Sequence, residues 1–275
     1  MKKFLISMLT VAISVMMLAS VFGCNKKPAT SSATVYDLVA EGTSYYFIIT
    51  DITVDKGGAV KDIKIDEILL TDRWTRQGGE NKAITDTVIA TIPASGTRPA
   101  SEAIFAKYIS IGDKKFEITS ISGDNTAYPS PVYAEIGGDV DNLITDMKEN
   151  KDLKKLYYEE AAKGNFKILK KVGDNYEVEY DGGNNSYTDL YKSKSNYWTG
   201  TQYPLGWKGN IAKMESYVKA NGVKYTLGDL DGIEADAETK EFYIGDVNTG
   251  ATLTGFAGYM SVVKAAYDQA MKVYA

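Results

Sequence analysis

Apolar and polar residues change rhythm several times along this chain, and each change predicts an element. From Ser44 the order SYYFIITDITVDKGGAVKDIKIDEILL places two β-rich runs around Asp55-Lys56-Gly57-Gly58, with alternation from Val60 to Asp66. Turn residues between such runs predict a hairpin. A charged, Gly-containing stretch from Arg73 to Lys82 reads as a loop. It is followed by a helix or strand around Ala103 to Ile109 and by a second hairpin from Lys115 to Ile121. Between Asp139 and Lys163 the period changes: Leu143, Ile144, Met147, Leu153, Leu156 and Tyr157 recur at helical intervals, and Lys163-Gly164-Asn165 supplies a stop. A further hairpin is predicted from Phe166 to Tyr180, turning at Gly173-Asp174-Asn175.

The C-terminal part predicts a helix over Asn210 to Ala220, stopped by Asn221-Gly222, then strand, turn and strand between Val223 and Ile244. A last helix is predicted from Gly255 to Tyr274. Its residues Phe256, Tyr259, Met260, Val263, Ala266, Tyr267, Ala270 and Met271 share one face, which should pack on a sheet. Antiparallel hairpins with helices mostly on one side amount to an α+β fold. Residues 36–125 form either a separate β-rich unit or the first strands of one large domain. The division expected here is 36–125 and 126–275.

Composition then narrows the compartment. Met1-Lys2-Lys3 precedes an almost uncharged apolar run, Phe4 to Phe22, and Gly23-Cys24 follows. A basic start, an apolar core and a small residue at the cut site describe a secretory signal spanning 1–23. An uncleaved membrane anchor is the other reading of such a run. The only cysteine, Cys24, has no partner for an internal disulfide. The segment resembles the lipobox of bacterial lipoproteins, which implies a diacylglyceryl group on Cys24 and a protein held at the extracytoplasmic face of the cell membrane. Residues 24–35, small, polar and Pro-containing, read as a tether. Without Lys2 and Lys3 the 31 basic residues become 29 against 36 acidic, a net of −7. Nucleic acid is therefore not the expected partner. There is no histidine, which excludes His-based nucleophile activation and the usual zinc and haem sites. Redox work would need an organic cofactor.

The candidate chemistry lies in Asp246-Val247-Asn248-Thr249-Gly250-Ala251-Thr252. Gly250 permits a positive φ and Ala251 adds only a methyl, so the approach to the Thr252 hydroxyl stays open. Thr254 is a plausible N-cap for the last helix. That would place Thr252 just ahead of helix amides that favour a phosphate. The same residues also suit an ordinary strand-to-helix turn. The heptad resembles the Asp-x-x-Ser/Thr-Gly-Ala-Thr/Ser motif of the FMN-binding domain family, whose members include flavin-carrying subunits of bacterial ion-pumping reductases and surface flavin lipoproteins. The likeness extends over Lys213 to Ala275. It implies covalent FMN, joined through its phosphate to Thr252 by a flavin transferase that uses FAD and magnesium. It also implies electron transfer from a membrane quinone-linked or flavoprotein donor, by a carrier or reductase subunit rather than a stand-alone enzyme. Asp246 would be a recognition element for the transferase or a turn cap, directed away from Thr252. A looser echo, Ala94-Ser95-Gly96-Thr97, reads as a loop.

A tethered isoalloxazine needs a surface to lie on. Tyr197, Trp198, Tyr203 and Trp207 fall close together in loop-like sequence, and Trp198 and Trp207 are the candidates for that surface. Such residues are usually core aromatics, and a glycan platform is the rival functional reading, which makes a lipoprotein solute- or glycan-binding module the alternative function. Asp229, Asp231, Glu234, Asp236 and Glu238 do not follow a calcium-loop spacing and read as solvated strand edges.

Overall fold

A computed structural model describes residues 27–41, 44–77, 83–182, 190–194 and 205–275. In chain order its elements are β1 (Thr30–Glu41), β2 (Ser44–Asp55), β3 (Val60–Ile68), α1 (Thr71–Trp74), β4 (Thr87–Ile92), β5 (Ser101–Ala106), β6 (Tyr108–Ile111), β7 (Lys114–Ser122) and β8 (Ser130–Glu135). They continue with α2 (Leu143–Glu149), α3 (Lys151–Lys163), β9 (Phe166–Val172), β10 (Asn175–Asp181), α4 (Gly206–Asn221), a 3-10 turn at Gly228–Leu230, β11 (Tyr243–Ile244), β12 (Val247–Asn248) and α5 (Phe256–Met271). The class is α+β, as expected. Among the described residues no helix is long and apolar enough to cross a membrane.

Two compact units divide the chain. One comprises residues up to Asp37 with Ile49–Ile65 and Ala212–Ala275; the other comprises Leu38–Ile48 and Asp66–Ile211. A boundary at 125/126 is not where the chain separates, because a single antiparallel sheet, ordered β10-β9-β6-β7-β8, takes strands from both sides of it. The first unit likewise gathers segments from both ends of the sequence. The expected tether is also shorter. β1 begins at Thr30, and Ser31, Ala33 and Val35 turn inward while Ser32 and Thr34 bond across to Thr53 and Asp51 of β2. Small polar residues in alternation made a strand here.

The β2–β3 turn forms where expected. Asp55 Oδ1 accepts from the amides of Gly57 and Ala59 at 2.9 and 3.0 Å, and Gly58 takes φ +82. Lys61 lies 2.8 Å from the same carboxylate, and its hydrogen bond, with those of the turn amides, holds the Asp55 pKa below the usual carboxylate range. Two other expectations change, and one resolves to its strand alternative. Lys115 to Ile121 is no hairpin but the middle of β7, since the turn before it sits at Gly112-Asp113, with Gly112 at φ +59. Ala103 to Ile109 covers parts of two strands, β5 and β6. The helix expected over Asp139 to Lys163 is two helices. Asn150, in an extended conformation, ends α2 through its amide bond to Asp146 O and caps α3 by accepting from Asp152 and Leu153. Helical periodicity continued through the break and hid it. Gly164, at φ +68, stops α3 as its position predicts.

The core of the second unit is aromatic. Trp74, Tyr157 and Phe166 are almost fully buried, with Tyr157 4.8 Å edge-on to Phe166 and Trp74 5.2 Å from it. Burial pushes the Tyr157 phenol pKa up, so it stays a neutral donor. Its hydroxyl donates to Leu69 O at 2.8 Å and accepts from Trp74 Nε1 at 3.2 Å, tying α1 and the end of β3 to α3. Tyr157→Phe leaves both partners buried and unpaired, and a loss of about 1–3 kcal/mol is expected. Urea unfolding followed by tryptophan fluorescence measures it.

Candidate functional site

The heptad lies in the first unit. Strands β11 and β12 pair antiparallel, Tyr243 with Asn248 and Ile244 with Val247, around a two-residue loop of Gly245 and Asp246. Gly245 takes φ +58, the first-position requirement of a tight hairpin turn. Asp246 is therefore a loop residue, exposed to solvent. The strand, turn and strand predicted from Val223 to Ile244 shrink to β11 alone, because local side-chain bonds take over the backbone. Asp229 accepts from the Thr226 amide and hydroxyl, and Asp236 from the amides of Glu238 and Thr239. These bonds hold both carboxyl pKa values below the ordinary range. Asp229 and Asp236 thus serve turns rather than strand edges.

Thr249 organises the turn between β12 and α5. It is buried, its hydroxyl donates to Phe242 O at 2.7 Å, and the same oxygen accepts from the Ala251 amide at 3.2 Å. Backbone bonds run alongside, from the Thr249 amide to Phe242 O at 3.0 Å and from the Phe242 amide to Ala251 O at 2.9 Å. Asn248 Oδ1 accepts from the Gly250 amide at 2.6 Å, while its Nδ2 donates to Glu241 and to the Tyr243 hydroxyl. Gly250 sits at φ +68, a region costly for any side chain. A methyl placed there would also meet Lys213 Cδ at 3.2 Å. The segment is thus pinned at Asn248, Thr249 and Ala251, and Gly250 between them is half-buried beneath Lys213.

Beyond the pin, burial alternates. Ala251 is fully buried, Thr252 exposed, Leu253 6% exposed and Thr254 exposed. With Ala251 and Leu253 turned inward, Thr252 between them lies at the surface. α5 then starts, but Thr254 is not its cap. Gly255 holds that position at φ +89 with no side-chain bond, and Phe256 N donates to Leu253 O at 3.1 Å. A positive φ ahead of the helix is glycine's to supply, so a residue chosen for its hydroxyl was the wrong expectation. With no capping side chain, the amides of Ala257 and Gly258 find no acceptor among the described residues. Phe242 stacks on Phe256 at 4.7 Å with 4° between the planes, which fixes the hairpin to the first turn of α5. The predicted apolar face of α5 is buried at Phe256, Tyr259, Met260, Val263, Ala266 and Ala270, joined by Val262.

Lys213 was not among the expected site residues. It stands on α4, exposed, with its side chain laid over Gly250 and Nζ 3.7 Å from where a β-carbon would be. Among the described residues it makes no ion pair or hydrogen bond. Thr249, Gly250, Ala251 and Thr252 thus lead into the start of α5, with Lys213 lying over Gly250 and Asp246 in the β11–β12 loop.

Of the aromatic candidates only Trp207 is among the described residues. Trp207 belongs to the other unit and is buried, 2% exposed, with Lys192 Nζ 5.8 Å from its ring. It is a core aromatic, not an open stacking face. Lys192 in turn pairs with buried Glu67 at 2.5 Å; desolvation drives the Lys192 pKa down, and Glu67 only partly offsets it. Segment 190–194 lies along the end of β3, with Leu69 N bonded to Leu190 O and Lys192 N to Glu67 O, both at 2.9 Å. Trp198, Tyr197, Tyr203 and Cys24 lie outside the described residues. The echo at Ala94 to Thr97 is a tight exposed turn closed by Ser95 and Arg98, as a loop reading predicts. Among the described residues no group of His, Cys, Asp or Glu could hold a metal ion.

Thr249→Val removes the acceptor of the buried Ala251 amide while keeping shape. A loss of about 1–3 kcal/mol is expected in thermal unfolding, with faster hydrogen exchange at Ala251, and Thr249→Ser restores most of both. No protein-family model, curated protein or solved structure matches this chain, so the family resemblance stands on the heptad and its flanks.

Proposed function

We propose that this protein carries FMN covalently on Thr252 and acts as an electron-transfer flavoprotein, tethered through lipidated Cys24 to the extracytoplasmic face of the membrane. The observation that carries the reading is the placement of Thr252: exposed between buried Ala251 and Leu253, beside a helix start whose amides are not occupied by a cap. Fit to a phosphate group is good on three counts. Thr252 is an exposed residue, Gly250 and Ala251 before it carry no more than a methyl, and the α5 start provides donors and positive potential, an effect of about 0.3–1 kcal/mol at an exposed helix end.

In the attachment reaction the Thr252 oxygen forms a bond to the FMN phosphorus of FAD. The pyrophosphate bond to AMP breaks, AMP leaves, and the hydroxyl proton passes to solvent or to a base of the transferase. Nothing is oxidised or reduced in that step. Asp246, exposed in the hairpin loop, is free for the flavin transferase to recognise. Thr249 and Asn248 hold the turn in which the hydroxyl is displayed, and Gly250 and Ala251 add little bulk of their own beside it. The flavin supplies one- and two-electron chemistry that no side chain here provides. A carrier held at the membrane meets donor and acceptor at raised local concentration. The glycan-binding alternative draws no support from Trp207, whose ring is buried.

The test is co-expression with a flavin transferase under conditions supplying FAD and magnesium, followed by mass spectrometry of the peptide containing Thr252. An adduct equal to FMN less one water is expected, with yellow fluorescence that survives denaturation. Thr252→Ala should abolish the adduct and Thr252→Ser should retain it. An unmodified peptide as the only product sinks the proposal.

A further inference from the structure

We infer that Lys213 is the counter-charge of the modification site: its ammonium pairs with the phosphodiester formed on Thr252 and so orients the tethered group. The inference rests on the proposed role of Thr252 and adds a residue from a different element to it.

The geometry is specific. Lys213 is fixed to a helix that is held by its own neighbours. Met214 and Val218 are fully buried beside it, Glu215 accepts from the Ile65 amide at 2.7 Å, and Lys219 pairs with Asp62 at 2.8 Å. The Lys213 stem crosses Gly250, with Cδ 3.2 Å and both Cε and Nζ 3.7 Å from the position a β-carbon would take. Long lysine stems lie along surfaces in this way while the charged head stays in water. Gly250 and Thr252 are two residues apart, so their Cα atoms are separated by no more than about 7 Å. A group esterified to the Thr252 hydroxyl is thus within reach of the lysine head, and well inside a Debye length of about 8 Å at physiological salt once the two side chains extend toward each other.

Charge gives this contact its meaning. The heptad region is acidic, with Asp246 and Glu241 exposed or half-exposed close by in sequence. A phosphodiester adds one further negative charge. Lys213 makes no ion pair among the described residues, whereas Lys219 and Lys264 are engaged with Asp62 and Asp268. Its ammonium is therefore available at no loss of an existing pair. The glycine acquires a second reason beyond its φ: any side chain at 250 would displace the lysine from the approach to Thr252.

The experiment uses the full chain, modified at Thr252, in four forms: unaltered, Lys213→Gln, Lys213→Arg and Lys213→Glu. Because Lys213 is exposed, each should fold, and thermal unfolding should confirm it. The readouts are the 31P resonance of the phosphodiester and the fluorescence anisotropy of the flavin at low salt. Lys213→Gln should move the resonance and lower the anisotropy, Lys213→Glu more so, and Lys213→Arg should restore the unaltered values. Raising salt to about 1 M, where the Debye length falls to about 3 Å, should move the unaltered protein toward Lys213→Gln and leave Lys213→Gln itself unchanged. An adduct whose resonance, anisotropy and salt response are the same in all four forms overturns the role of Lys213 alone. An unaltered chain that never acquires the adduct overturns this inference together with the reading beneath it.

Discussion

A single buried hydroxyl holds the C-terminal turn in shape. Thr249 donates to Phe242 O and accepts from Ala251 N, so one side chain closes the turn on both sides of Gly250. The consequences run outward from that clamp. With Ala251 drawn into the core, Thr252 is presented at the surface and Leu253 is buried after it. With Leu253 buried, its carbonyl receives Phe256 N and starts α5 in a fixed direction. The Phe242–Phe256 stack then locks the hairpin to that helix. A display position for a hydroxyl is thus produced by polar bonds on one side and aromatic packing on the other.

How much of this was legible in the sequence depends on whether a residue acts locally. The Asp55-Lys56-Gly57-Gly58 turn, the Gly164 stop and the α5 stripe all depend on neighbours within a few positions, and all appear where the pattern puts them. The break at Asn150 was hidden because apolar spacing continued across it while the backbone was being captured by one asparagine side chain. β1 was hidden for the opposite reason. Its outward side bears Ser and Thr and its inward side small residues, so it resembles a linker until a neighbouring strand is there to pair with it.

The site divides along the same line. The exposure of Thr252 and the turn at Gly250 are local, and the spacing of the heptad conveys them. The choice of Gly255 over Thr254 at the start of α5 depended on a φ of +89 that no hydroxyl could substitute for. Lys213 is separated from Gly250 by the whole of the acidic turn region, and only folding reveals that the two touch. Trp207 shows the converse: a cluster of aromatic letters suggested an open surface, and burial against Lys192 made it interior.

The first unit is stitched from three separated stretches, with the strand residues up to Asp37 and those of Ile49–Ile65 awaiting Ala212–Ala275. During translation its early strands leave the ribosome long before the helices that complete their core exist. The unit therefore assembles late, by contacts between distant parts of the chain, which is the slow kind of folding. The clamp that displays Thr252 belongs to the stretch made after those strands. The turn that presents Thr252 accordingly takes its final shape only when strands made much earlier have found their partners in the later stretch.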